Sequence, residues 1–249
     1  MRIYAIGDIH GQLDMLRAAH DRIAADRIAC DDARAPVVHL GDLVDRGPDS
    51  CGVIDHLLGG IAEGAPWIVI KGNHDRMFLA FLRDGATQDS GLRRELTWLD
   101  PLLGGDRTLA SYGVRLRRWT TPLSAWEAAV KAVPAAHVEF LSRLPLMHRT
   151  TELLFVHAGI RPGVPIEDQV EDDLVWIRGA FLEDDSDHGV LVVHGHTPVA
   201  AAEHYGNRID IDTGAGFGHP LTAVVFEGRD CFILTDEGRV PLEPPPGYG

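Results

Sequence analysis

One form is repeated five times in this chain and limits what it can fold into. A short apolar run reaches a polar turn that carries Asp, Asn or His, with glycine beside it. The five copies are "RIYAIGDIHG" (2–11), "PVVHLGDLVDRG" (36–47), "WIVIKGNHD" (67–75), "ELLFVHAG" (152–159) and "VLVVHGHT" (190–197). Near-continuous runs of this length, rich in β-branched residues, are strands covered on both faces. Glycine lets the backbone bend and approach closely at each end. In α/β proteins, ligands collect outside the carboxyl ends of the strands. Five such ends carrying oxygen and imidazole groups therefore predict one shared site.

The segments between the runs support this. "LDMLRAAHDRIAADRI" (13–28) places Leu13, Leu16, Ile23 and Ile28 at helical spacing, and "SCGVIDHLLGGI" (50–61) is a shorter helix of the same kind. The order β-α-β-α-β calls for right-handed crossovers and a largely parallel start to the sheet. From about 83 to 150 the pattern turns helical. "LRRELTWLDPLLGG" and "TPLSAWEAAVKAVPAAHVEFLSRLPLM" are read as helices broken by Pro101, Pro134 and Pro145, an insertion beside the sheet. "VEDDLVWIRGAFL" (170–182) is read as one helix. After His196, "RIDIDTG", "LTAVVFEG" and "CFILTDEG" alternate like strands of an antiparallel or mixed second sheet. The tail "PLEPPPGYG" (241–249) is expected to be loose and extended. No repeat and no linker divides the chain, so residues 1–249 are expected to form a single domain.

Composition narrows the partners. A net charge of −14, with clusters such as "EDDSD" at 183–187, argues against general affinity for nucleic acid or anionic membranes. No apolar run approaches the ~20 residues that cross a bilayer. The amino-terminal stretch meets Asp8 too early for a signal peptide, so the expected location is the cytoplasm. Cys30, Cys51 and Cys231 are odd in number and lack CxxC spacing, which makes a disulfide framework or zinc ribbon a poor fit. Nothing in the sequence bears on oligomeric state.

The ligand chemistry follows from residue type. Carboxylate, amide oxygen and neutral imidazole together suit a borderline divalent metal: manganese first, with iron or zinc also acceptable. Asp8 and His10 lie two apart, so in extended backbone they point the same way. Asp42 has two oxygens and can bridge two ions, while Asn73, His157 and His196 can complete the set. Two ions ~3.5–4 Å apart can activate a bridging water and clamp a substrate for in-line displacement.

"GDIHG", "GDLVDRG", "GNHD", "VHAG" and "GHT" are similar, in order, to the signature blocks of the calcineurin-like metallophosphoesterases, and most resemble the bacterial phosphoprotein phosphatase branch. The blocks span residues 7 to 197, about four fifths of the chain. The resemblance implies an α/β fold, a four-layer α/β/β/α sandwich of two mixed sheets with a dinuclear site. It implies Asp8, His10 and Asp42 around one ion, and Asp42, Asn73, His157 and His196 around the other. It implies His74 as the acid that protonates the leaving oxygen, with Asp45 orienting it. Arg46 and Asn73 are implied substrate-binding residues, together with a second arginine for which Arg178 in "LVWIRGAF" is the candidate.

The activity so implied is hydrolysis of a phosphomonoester by direct attack of a metal-bridging hydroxide, with phosphoserine or phosphothreonine in proteins as the first substrate. A symmetrical dinucleoside polyphosphate (diadenosine tetraphosphate) hydrolase is the alternative, since it looks similar in all five blocks. Those hydrolases commonly depart from aspartate at the position of Asp45, which favours the monoesterase here. A non-catalytic phosphate-binding module is the third reading, and it would be expected to have lost a ligand, the acid or the arginine. His194, two before His196, is expected to support the site from behind its ligands. Asp212, in "IDIDTGAGFGHP" (209–220), is read as part of a tight strand connection. The remaining histidines (20, 39, 56, 137, 148, 188, 204 and 219) show no ligand-like pairing.

Overall fold

Alternation within the apolar runs decides the layering. In β1 (Arg2–Ile6), Tyr4 and Ile6 face one side while Ile3 and Ala5 face the other, and all four are buried. The computed structural model describes residues 2–247, and within them the strands form two sheets. β1, β2 (Val37–His39) and β3 (Trp67–Val69) run parallel, joined by α1 (Leu13–Ala29) and α2 (Ser50–Ala62). β9 (Ala223–Glu227), β10 (Asp230–Thr235) and β11 (Gly238–Pro241) extend the same sheet antiparallel, in the order β11-β10-β9-β1-β2-β3.

The second sheet is built from β4 (Met147–Arg149), β5 (Leu153–Val156), β6 (Leu191–His194), β7 (Glu203–His204) and β8 (Arg208–Asp210), in the order β4-β5-β6-β8-β7. Its central strands β5, β6 and β8 are parallel.

Three cores separate four layers. The inner core lies between the sheets, where Phe155 of β5 meets Phe226 of β9 edge-on at 5.7 Å. Outside the first sheet, Tyr4, Ile6 and Val37 pack against α1, α2 and α3 (Asn73–Asp84), and against α4 (Gly105–Ser111), α5 (Pro122–Ala132) and α6 (Ala135–Ser142). Outside the second sheet, Leu154, Val156 and Val192 pack on α7 (Glu171–Trp176) and α8 (Gly179–Leu182). Each fully buried aliphatic or phenyl side chain contributes about 1.5–3 kcal/mol, so the long apolar runs stabilise the sandwich directly. The four-layer α/β/β/α architecture expected from the sequence is present.

Several expectations are corrected. "LTAVVFEG" and "CFILTDEG" do not enter the second sheet: β9 pairs with β1, Ile3 opposite Phe226, so these strands extend the first. "LRRELTWLDPLLGG" is not a helix but a run of turns. Leu92, Leu96, Trp98, Leu99 and Leu103 pack individually onto the first core, Leu102 is exposed, and Gly104 ends the run in a left-handed conformation. The 83–150 segment also supplies the edge strand β4, so it is not wholly helical. The 170–182 helix is interrupted at Ile177 and Arg178, between α7 and α8. The tail begins anchored, since Pro241 belongs to β11 and the Leu242 amide donates to Cys231 O. Positions 248 and 249 of that tail lie outside the described residues. No helix among the described residues is long and apolar enough to cross a membrane.

Candidate metal centre and active site

The parallel strands of both sheets end at one place. Asp8 and His10 follow β1, Asp42 follows β2, Asn73 opens α3 after β3, His157 follows β5 and His196 follows β6; all six are buried. The loops are stitched by backbone bonds, with the His10 amide donating to Asp42 O at 2.7 Å and Gly11 to Leu43 O at 2.9 Å. Gly41 has φ +88, and a Cβ there or at Gly72 would collide with the other loop, so only glycine permits this approach. Asp75 ties the same loops: Oδ1 accepts from the Leu43 amide and Oδ2 from Gly72, both at 2.9 Å. Gly72 is the N-cap of α3, which leaves Asn73 and His74 in its first turn.

His10, Asp42, Asp45, Arg46 and His196 all have positive φ between 46° and 74°. Side chains avoid this left-handed backbone unless the surroundings enforce it, and such outliers cluster at functional sites.

Asp42 stands at the centre. Its Oδ1 accepts from the His74 amide at 2.9 Å and lies 3.4 Å from His157 Nε2, while Oδ2 lies 3.4 Å from His10 Nε2. Two groups have donor atoms within 4.8 Å of one another, His10–Asp42–His74 and Asp42–His157–His196. Asn73 Oδ1 lies 2.9 Å from His157 Nε2, and Asp8 Oδ2 accepts from the His196 amide at 3.1 Å. All six expected ligands are thus gathered, with Asp42 shared. His74, expected as the acid, also lies within ligand range of His10 and Asp42.

The charge balance fits cations. Burial, with Asp212 and Asp42 beside it, pushes the Asp8 carboxyl well above the usual carboxylate range. Burial also works against charge on Asp42, which sits among the imidazoles of His157, His74, His10 and His196. Burial keeps His10, His157 and His196 neutral, aided by Arg46 at His10 and by His157 and Arg178 at His196. Neutral imidazoles offer lone pairs. His10 and His157 bond Val44 O and Leu40 O through Nδ1, which directs Nε2 into the site. Asp8 Oδ1 and His196 Nε2 are buried with no hydrogen-bond partner. Orphaned donor atoms beside crowded carboxylates are what a pair of divalent cations would satisfy, so the residues fit the group.

A second set of contacts surrounds His74. Its Nδ1 lies 2.6 Å from Asp45 Oδ2, which also accepts from Trp98 Nε1 at 2.8 Å, while Asp45 Oδ1 accepts from Thr108 Oγ1 at 2.6 Å. Arg46 lies with Nη1 2.5 Å from His10 Nε2 and Nη2 3.0 Å from His74 Nε2. Arg178 sits exposed at the rim, in the break between α7 and α8, with its guanidinium 5.8 Å from the Trp176 ring.

One sequence reading changes and another gains detail. His194 lies behind the ligand loop: its Nδ1 bonds Gly195 O, beside His196, at 3.1 Å, while Nε2 accepts from Arg208 and the ring meets Phe181 edge-on. Asp212, read as a connection, is 3% exposed beside Asp8, and burial with Asp42 nearby raises its carboxyl to about 6. Its segment follows β8 as the other site loops follow their strands, an apolar run ending in Asp and then Gly, and that pattern could have revealed it.

The chain is 31% identical over 235 residues to Serine/threonine-protein phosphatase 1 of Salmonella typhimurium, covering 88% of this chain and 89% of the relative. It is 26% identical to the asymmetrical bis(5′-nucleosyl)-tetraphosphatase PrpE of Bacillus subtilis, covering 89% of each. A crystal structure described as that of a candidate diadenosine tetraphosphatase shares the fold at TM-score 0.61 and 23% identity, covering 96% of this chain and 93% of that one. The family model for calcineurin-like phosphoesterases matches residues 1–223, and the chain belongs to that family.

Proposed function

We propose that this chain is a metal-dependent phosphomonoester hydrolase, with phosphoserine or phosphothreonine side chains of proteins as its first substrate class. The carrying observation is the 2.6 Å contact between His74 Nδ1 and Asp45 Oδ2 at the edge of the ligand cluster. A carboxylate at Nδ1 fixes the ring's orientation and aims Nε2 at a departing oxygen, which is what general acid catalysis needs. The Salmonella relative supports the same substrate class.

In this reading Asp8, His10, Asp42, Asn73, His157 and His196 hold two divalent cations, manganese first. When bound, these cations supply an activated water and neutralise charge on the phosphoryl oxygens. Arg46 gives up its contact with His10 Nε2, turns its planar fork to the phosphoryl group and holds it with Asn73 and Arg178. His74 donates a proton through Nε2 to the leaving oxygen. The Trp98 and Thr108 contacts hold Asp45, so the inserted segment serves the chemistry from behind.

Hydrolysis of a dinucleoside polyphosphate is the second reading, favoured by the likeness to PrpE. Rates on a phosphoserine peptide and on a dinucleoside tetraphosphate, measured in parallel with metal analysis of the same preparation, decide between them. Faster turnover of the peptide is expected. Faster turnover of the tetraphosphate overturns the monoesterase reading, and no metal-dependent turnover of either overturns both.

A further inference from the structure

The turn at 213–218 crosses directly over the site and ends in a side chain with no inward role. Ala215 in this turn is buried, and its carbonyl accepts from Gln12 Nε2 at 3.1 Å. A Cβ on Gly216 would fall 2.6 Å from His10 Cδ2 and 2.9 Å from Arg46 Cδ, so the backbone here lies against both residues. Thr213 closes the base, donating to Pro220 O at 2.7 Å and pairing with Thr222 Oγ1 at 2.7 Å. On this held turn Phe217 points outward and is 61% exposed, with its ring centroid 4.7 Å from the Arg46 guanidinium carbon.

An exposed phenyl ring on a fastened turn beside a substrate-binding arginine is a platform. The guanidinium carbon lies over the ring while Nη1 and Nη2 face His10 and His74, the contacts that a phosphoryl oxygen would replace, so one arginine can serve both ring and phosphate. Across the ligand cluster the arrangement recurs: the half-buried Trp176 meets His196 edge-on at 5.6 Å, and Arg178 lies beside its ring. Each expected phosphate-binding guanidinium thus borders an aromatic face.

We propose that Phe217 is a specificity-determining residue, and that it favours phosphomonoesters whose leaving oxygen is bonded directly to an aromatic ring, as in phosphotyrosine. Such a ring begins one bond beyond the phosphoryl group held by Arg46, next to the side chain on which Arg46 already stacks. An alkyl ester offers no surface there, and a nucleobase is carried several bonds further away. The inference rests on the phosphomonoesterase reading and extends it from alkyl to aryl esters.

Two peptides of identical flanking sequence, one with phosphotyrosine and one with phosphoserine, test it alongside a dinucleoside tetraphosphate. Rates are normalised to the metal content of each preparation. Phe217→Ala should lower the phosphotyrosine-to-phosphoserine ratio of kcat/KM by about 3–10-fold, the contribution of one aromatic pair, with the change in KM. Phe217→Tyr keeps the ring and should restore the ratio. Equal losses on both peptides, or none, overturn the proposal by reducing Phe217 to a support for Arg46. A loss confined to the tetraphosphate overturns the aryl assignment in favour of a nucleobase. A metal-loaded wild type inactive on both peptides overturns the underlying monoesterase reading, whatever the variants do.

Discussion

His74 Nδ1 and Asp45 Oδ2 approach to 2.6 Å, yet the two residues come from different loops, one opening α3 and the other following β2. The pair is held from both sides, because Asp45 also accepts from Trp98 and Thr108. His74 is therefore positioned through Nδ1, with Nε2 turned toward Arg46 and the ligand cluster. His74→Gln should lower kcat by about 10²–10⁴-fold, and by less on substrates whose leaving group is already acidic. Metal content should stay near that of the wild type. Loss of metal on His74→Gln would make His74 a third ligand with His10 and Asp42, which their spacing allows.

Asp42 has the opposite signature. Each of its oxygens faces a different imidazole, His157 on one side and His10 on the other. Asp42→Asn removes the shared charge between the two groups, so metal content and turnover should fall together. Both losses should exceed the roughly 10–100-fold effect typical of residues behind the ligands. Elemental analysis beside a chromogenic phosphomonoester assay measures both, and retained metal with lost activity would contradict the bridging role.

The candidate site was legible because each expected ligand comes soon after a largely buried strand, so an apolar run and the polar residue after it are close in sequence. Asp212 follows β8 in the same way, but its segment alternates, and alternation reads as an antiparallel strand even though β8 runs parallel to β6. Sheet membership of β9 was out of reach, since it depends on Ile3 meeting Phe226 across the whole chain. In the 92–105 segment, Leu96, Leu99 and Leu103 have helical spacing, but each packs on the core from a turn. Trp98 beneath Asp45 is likewise a contact between distant segments.

Trp98 tests whether the inserted segment contributes to the reaction. It is fully buried, 4.8 Å from the Phe81 ring, and its Nε1 donates to the oxygen that pairs with His74. Trp98→Phe keeps most of the packing and removes one hydrogen bond to a charged acceptor. Stability should fall by about 1–2 kcal/mol in urea unfolding. kcat should fall by about 3–10-fold with metal content unchanged, since ~1 kcal/mol in the barrier is several-fold in rate. A drop in stability with kcat unaffected would show that Asp45 needs no support from the insertion.

Three histidines with no pairing in the sequence meet away from the site. His20 Nδ1 lies 2.9 Å from His56 Nε2, its Nε2 lies 2.9 Å from His39 Nε2, and its ring stacks on Trp67 at 4.1 Å. His39 Nδ1 donates to Ile68 O, so its Nε2 accepts from His20, and the bonds are complete with every ring neutral. Burial lowers His39 to about 4 and, with His39 and His56 adjacent, lowers His20 to about 2. A histidine depressed in the folded state binds fewer protons there than in the unfolded chain once pH falls below about 6.5. Stability is then fully present above that pH and declines as pH falls toward the folded values. For His39 alone the loss should reach about 2 kcal/mol at pH 5, from 1.36 kcal/mol per unit over roughly one and a half units. His39→Asn keeps a donor for Ile68 O and removes the titrating ring, so it should flatten the slope of urea-unfolding free energy between pH 6.5 and 5. An equal slope in wild type and variant would mean that His39 accepts a proton in the folded protein as readily as in the unfolded one.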